Sequence, residues 1–253
     1  MNKTALITGA TSGIGKATAI KLAQNGYNLI LCGRRAEKLE ELKKILSKQV
    51  NVHTLIFDVR SRVDVEQQIN SLPSEWKNID VLINNAGNAH GLSPINSGDV
   101  DDWDTMIDGN VKGLLYVSKA VIPQMVERKK GHIINISSIA GKQTYVNGAV
   151  YCASKKAVEA ISEGMRLDLT EHGIKITNIA PGAVETEFSE IRFKGDKERA
   201  KKVYEGFAAL QAQDIADFIF YALNVPDRVT IADVVIYPKA QSAPTTIYRK
   251  QSA

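Results

Sequence analysis

The sequence predicts an α/β protein. One domain over 1–253 carries a doubly wound sheet of about seven mostly parallel strands, with helices on both faces. Three observations lead there. Short apolar runs alternate with longer stretches of helical spacing along nearly the whole chain. The runs lack polar alternation, as strands covered on both faces do. No low-complexity linker and no repeat of fixed period divides the 253 residues, a length that suits one large α/β domain.

Taken in order, Thr4–Thr8 is a short apolar strand that runs into Thr8-Gly9-Ala-Thr-Ser-Gly13-Ile-Gly15. A helical pattern follows to Gln24, with Asn25-Gly26 as its stop. Tyr27–Cys32 reads as the second strand, the amphipathic and charged Glu37–Lys48 as a helix, and Val52–Asp58 as the third strand. Asp64–Leu72 is predicted as a short helix ended by Pro73, and Ile79–Asn84 as the fourth strand, followed by Asn84-Asn85-Ala86-Gly87. Trp103–Glu127 carries one long helical pattern with Pro123 late in it. The fifth strand begins at His132 and ends in Ser137-Ser138; a helix over Val150–His172 follows, stopped by Gly173. Ile174–Ile179 is the sixth strand, broken by Pro181-Gly182, and Ile231–Tyr237 the seventh. The mostly polar Phe188–Leu210 interrupts the alternation. It reads either as a lid over a site, around 186–210, or as a surface helical insertion.

Composition narrows the function classes. The net charge of +4 is small, and basic and acidic residues mix locally, as in Lys194–Lys202. That is a solvated surface, and no nucleic acid partner is expected. The two cysteines, Cys32 and Cys152, have no metal-ligand spacing, so neither a metal nor a disulfide framework is expected. No apolar run approaches the roughly 18 residues that span a bilayer, so no membrane partner is expected. A soluble, cytoplasmic protein is the expectation.

Gly9, Gly13 and Gly15 follow a strand and precede a helix, the order of a Rossmann-like dinucleotide site. Glycines let the chain turn sharply and let a pyrophosphate approach, and the helix N-terminus beyond offers free N–H groups. The spacing is G-x3-G-x-G. At the end of the second strand, where NAD sites place a carboxylate for the ribose hydroxyl, this chain has Gly33-Arg34-Arg35. Glycine leaves room and an arginine fork can pair with a 2′-phosphate, which predicts NADP(H) over NAD(H). Further on, the serines end a strand where open α/β sheets place ligands, and Tyr151 and Lys155 are one helical turn apart. Hydroxyl, phenol and ammonium together are a proton-transfer set. Taken alone, Tyr-x3-Lys is as readily an aromatic beside a snorkelling lysine.

Together Thr8-Gly9-x3-Gly13-Ile14-Gly15, Asn84-Asn85-Ala86-Gly87, Asn110, Ser138, Tyr151-x3-Lys155 and Pro181-Gly182 resemble the short-chain dehydrogenase/reductase superfamily, in the family's order and over nearly the whole chain. Leu72-Pro-Ser-Glu-Trp76, Asp102-Trp103, Met125-Val-Glu-Arg128, Thr186-Glu-Phe188 and Ile191-Arg-Phe-Lys-Gly-Asp196 resemble its branch of NADP-dependent serine and 3-hydroxy acid dehydrogenases. That branch often has a glycine pair where this chain has Val184-Glu185.

The resemblance implies roles. Tyr151 is the general acid/base, Lys155 supplies the charge that favours its phenolate, and Ser138 orients the substrate oxygen, with Ser137 as the alternative. Asn110 bends its helix and holds a relay water. Around the cofactor the resemblance puts Thr11, Ser12 and Ile14 with the glycine turn, and Asn85, Ala86 and Gly87 on the adenosine side. It puts Asp58 at the adenine, although Asp58 also reads as a helix N-cap. Pro181, Gly182, Val184 and Thr186 line the nicotinamide side, which Tyr151 and Lys155 also meet. Arg192, in the lid segment, is the candidate for a substrate carboxylate beside Ser138 and Tyr151. The implied activity is hydride transfer at serine or a related 3-hydroxy acid, in a homotetramer. A general ketone or 3-oxoacyl reductase is the alternative, and a nucleotide-binding protein without catalysis the third reading.

Overall fold

All five residues of the first strand, β1 (Thr4–Thr8), are buried, so the run has no face to show to water. Its side chains alternate: Ala5 and Ile7 enter one apolar cluster and Leu6 the other, so the strand feeds two cores at once. A computed structural model describes residues 2–250; residues 1 and 251–253 of the expected domain lie outside the described residues.

After β1 come α1 (Gly13–Gln24), β2 (Asn28–Gly33), α2 (Ala36–Leu46), β3 (Val52–Ile56), α3 (Arg62–Asn70), β4 (Val81–Asn84), α4 (Val100–Ile107), α5 (Gly113–Arg128), β5 (Gly131–Ile136), α6 (Ile139–Lys142), α7 (Ala149–Leu169) and β6 (Ile174–Pro181). The rest is β7 (Val184–Glu185), α8 (Phe188–Arg192), α9 (Lys197–Lys202), β8 (Leu210–Gln211), α10 (Ala212–Asn224), β9 (Asp233–Ile236), β10 (Gln241–Ala243) and β11 (Thr246–Ile247). The sheet has seven strands in the order β3-β2-β1-β4-β5-β6-β9, and every pair in it is parallel. Helices α1, α2 and α10 cover one face, through residues such as Leu22, Leu42 and Ile219. Helices α3, α5 and α7 cover the other, through residues such as Val65, Val121 and Val158. This is the expected single-domain, Rossmann-like fold. Strand order reverses between β1 and β4, and a crevice opens beyond their carboxyl ends.

The structure departs from the sequence reading in five places. The single helix expected over Trp103–Glu127 is two: α4 and α5 flank a π-helical turn at Asp108–Lys112. The cause is Asn110, whose side chain binds both the N–H and the C=O of Asn88 at 2.8 Å and pulls an extra residue into the turn. The third strand stops at Ile56, short of Asp58. Asp58 does not cap the next helix: Ser61 does, accepting from the Asp64 N–H, while Asp58 accepts from the Arg60 backbone and guanidinium. Helix α10 had no counterpart in the sequence reading, although Gln211 and Asp214 form a capping box at its start. The hairpin β10–β11 was also not anticipated. The interrupting segment is helical, as α8 and α9, and its base is closed by a short parallel pair, Val184 with Leu210 and Glu185 with Gln211. Among the described residues no helix is long and apolar enough to cross a membrane.

Candidate active site

The glycine turn opens a cleft because its backbone leaves the ordinary regions. Gly9 has φ +65° and Gly13 φ +50°, conformations that side chains rarely adopt. A Cβ on Gly9 would lie 2.9 Å from the Asn85 side-chain nitrogen, which itself donates to the Thr8 carbonyl at 2.9 Å. Ser12, at the N-cap of α1, makes no side-chain cap bond, so first-turn N–H groups remain open for an anion. The cleft measures about 330 Å³. Gly9, Thr11, Ser12, Gly13 and Ile14 form its floor, and Asn85, Ala86 and Gly87 one wall. Pro181, Gly182, Val184 and Thr186 close the far side, with Ser138, Tyr151 and Lys155 at the inner end. The cradle fits a dinucleotide, with a tight backbone turn for the pyrophosphate and helix N–H groups facing it. Gly15 differs from the expectation. It does not line the cleft but is buried, where a Cβ would lie 2.5 Å from the Asn85 nitrogen, so its role is close helix–strand packing.

The outer end of the cleft is basic. Arg34 is exposed and 3.5 Å from Asp58, whose carboxylate is held more tightly by Arg60 at 2.7 Å. Arg35 is engaged: it donates to the Thr11 hydroxyl at 2.8 Å and pairs with Glu187, just before α8, at 2.9 Å. Arg34 therefore has the freer guanidinium of the two.

At the inner end, four elements converge. Strand β5 leads directly into Ser137 and Ser138, the latter at the N-cap of α6. Ser137 turns to the helix and donates to the Lys155 carbonyl at 3.2 Å. Ser138 accepts from the Ala140 N–H at 3.1 Å and is the serine whose hydroxyl acts on the Tyr151 phenol. Burial pushes the Tyr151 phenol well above the ordinary tyrosine value; the nearby Tyr145 adds to this, and the Ser138 hydroxyl and Arg192 partly oppose it. Lys155 is buried and donates to the Ile136 carbonyl at 3.0 Å. Burial lowers its ammonium to about 8, with Glu159 one turn on pulling the other way. Gly87 explains how these groups meet: a Cβ there would lie 3.3 Å from the Lys155 nitrogen and 3.0 Å from the Asn110 side-chain oxygen. Asn110 also donates to Ser154 at 3.0 Å, which ties the π turn to α7.

A phenol, an ammonium and a hydroxyl beside a glycine-lined cradle form a site for proton transfer next to a bound dinucleotide. The chain as a whole is similar to known proteins in sequence and fold. Residues 3–197 match the family model for short chain dehydrogenases. The chain belongs to that family. It is 47% identical over 238 residues to an NADP-dependent 3-hydroxy acid dehydrogenase of Salmonella typhi, covering 94% of this chain and 95% of that protein. It is 42% identical over 243 residues to sulfoacetaldehyde reductase 2 of Chromohalobacter salexigens, covering 96% of both. Its fold superposes on the closed form of a serine dehydrogenase complexed with NADP+, with a TM-score of 0.92, 43% identity, and coverage of 98% of this chain and all (100%) of that one.

Within this short-chain dehydrogenase, Arg192 does not line the large cleft. It lines a smaller cavity, together with His90, Trp103, Gly148 and Tyr151, so the two cavities share the Tyr151 phenol. Its guanidinium carbon lies 5.6 Å from the centroids of both the Tyr145 and Tyr151 rings. Thr186 sits over the glycine turn, 3.3 Å from a Cβ built on Gly13, and accepts from the Phe188 N–H at 3.3 Å. The sequence reading missed Arg60, Tyr145 and Glu187. Arg60 lies two residues past Asp58 and carried no pattern. Tyr145 and Glu187 lie outside any periodic segment, so only their contacts reveal them.

Proposed function

We propose that the chain is an NADP-dependent oxidoreductase that moves a hydride between the cofactor and the hydroxyl-bearing carbon of serine or a related 3-hydroxy acid. The observation that carries this reading is the Ser138–Tyr151–Lys155 cluster at the inner end of the glycine-lined cleft, with the Arg192 guanidinium against the same phenol. The NADP-dependent 3-hydroxy acid dehydrogenase and the serine dehydrogenase to which the chain is similar support it. The nicotinamide, when bound, takes up or returns the hydride. In the oxidising direction the Tyr151 phenolate takes the substrate hydroxyl proton, while Ser138 donates to that oxygen and fixes it. Burial works against a phenolate, and the Ser138 hydroxyl and the Arg192 guanidinium partly offset it. Lys155 is assigned the further charge that favours the phenolate. Asn110 holds the loop at Asn88 and is assigned the water-holding position of a Tyr-Lys-Ser-Asn relay. Arg34, with Arg35 beside it, meets the 2′-phosphate, and Asp58 the adenine side. Arg192 meets the substrate carboxylate. The lid is the 186–210 segment, and the working unit is a homotetramer. The reducing cytoplasm is its proposed location, consistent with free, buried Cys32 and Cys152.

The test is a substrate panel followed by NADPH formation: L- and D-serine, allo-threonine, 3-hydroxypropionate and 3-hydroxyisobutyrate, with neutral ketones in the reverse direction. At least one acid should be turned over better than the neutral compounds. Tyr151→Phe should lose at least about a thousandfold in kcat while binding NADPH normally. A Tyr151→Phe enzyme of near wild-type rate, or a protein active on neutral ketones alone, would end the reading.

A further inference from the structure

Arg192 ends α8, and its surroundings are unusual for a partly buried cation. Among the described residues no carboxylate lies within ion-pair distance of it. The acids of the neighbouring loop, Asp99 and Asp102, are both taken by Lys194, at 3.2 and 3.0 Å. Arg192 is instead fixed by neutral groups. Its backbone carbonyl accepts from the Gly91 N–H at 3.0 Å, its Nε donates to the Gly91 carbonyl at 3.4 Å, and Nη2 donates to the Tyr145 hydroxyl at 2.9 Å. A charge withdrawn from water without an opposite charge is costly, so this arrangement suits a site that an anion completes.

Tyr145 makes the site more specific. Its ring lies on Gly148, the residue just before α7; a Cβ there would collide with the ring edge. The glycine thus seats the ring beside the helix that carries Tyr151. The phenol oxygen accepts from Arg192, so its own O–H points elsewhere. Among the described residues that O–H has no acceptor. A guanidinium edge and a free phenol O–H then converge beside the catalytic phenol, a pair that matches two oxygens of one small anion.

We infer that Tyr145 and Arg192 together form the subsite for the anionic group of the substrate, and that Tyr145 is a specificity-determining residue of this enzyme. This rests on the proposed role of Tyr151 at the reacting carbon. A 3-hydroxy acid carries its carboxylate two carbon–carbon bonds from that carbon, which suits a clamp built against the Tyr151 ring. Burial keeps the Tyr145 phenol above its usual range, so it stays a neutral donor at neutral pH.

The test is Tyr145→Phe, which keeps the ring on Gly148 and removes only the hydroxyl. The ratio of kcat/KM on the best 3-hydroxy acid to kcat/KM on a neutral ketone should fall about tenfold or more, chiefly through KM. Malonate should inhibit ketone reduction by the wild type, and its inhibition constant should rise by a similar factor in the variant. Arg192→Lys, which keeps the charge without the fork, should shift both readouts the same way. An unchanged ratio together with an unchanged malonate constant overturns the inference, as does a wild type that malonate does not inhibit. If the wild type turns over no hydroxy acid yet malonate inhibition weakens in Tyr145→Phe, the proposed activity falls and the anion subsite stands.

Discussion

Gly33 and His132 each carry an expectation that one substitution can check. At Gly33 the missing side chain leaves the cleft open to a 2′-phosphate beside Arg34. A Cβ there would press on the Thr11 methyl at 3.1 Å, a contact that a slight shift relieves. Gly33→Asp should therefore fold, weaken NADP by about 2 kcal/mol, roughly thirtyfold, and bring NAD to the tighter side; titration with both cofactors checks this. A wild type that prefers NAD would sink the argument. His132 is buried in β5 and bonded to the Thr177 hydroxyl at 2.8 Å, at the end of the sheet away from the site. Burial, helped by Lys175 and Lys3, lowers its imidazole from the ordinary 6.5 to about 4. Between those values the unfolded chain binds a proton that the folded one refuses. Stability from this group is complete above about 6.5 and is lost as pH falls towards 4, by about 3 kcal/mol. His132→Gln should flatten that slope in urea titrations at pH 7 and pH 4.5; parallel losses in both proteins would contradict it.

Among the elements, local signals were legible and long-range ones were not. The strand–glycine–helix start was readable because its apolar run and its φ-permissive residues are adjacent in sequence. Ser138, Tyr151 and Lys155 were readable because only the short α6 and a loop separate β5 from α7. The π turn left no mark on the helical spacing; only the resemblance implied a bend at Asn110, whose partner Asn88 lies 22 positions away. The hairpin β10–β11 was too short for any period to register, yet it bears on the site. Gln241 is buried there, accepts from the Ala183 N–H at 2.8 Å, and packs against Gly182. The hairpin thus braces the Pro181–Gly182 turn, proposed for the nicotinamide side. Gln241→Ala should weaken NADPH about fivefold through that loosened turn, in line with one hydrogen bond, and fluorescence titration reads it. Unchanged affinity would reduce the hairpin to a surface ornament.

Across the whole molecule, α5 and α7 lie on one face of the sheet and keep apolar residues on the outside: Leu115 is 41% exposed and Leu167 77%. The proposed tetramer would cover them. Leu167→Glu should lower the mass measured by light scattering, whereas a monomeric wild type or an undisturbed tetramer speaks against that assembly. Within the cleft, Arg35 links Thr11 on the glycine turn to Glu187. In the proposed NADP site a dianionic phosphate at Gly33 would draw on the same donors, so that loading the cofactor and loosening Glu187 would be one exchange of partners. The expected kinetic consequence is a compulsory order of addition, with cofactor entering first and the proposed substrate second. Initial-rate patterns should then show NADPH competing with NADP+ but not with that substrate.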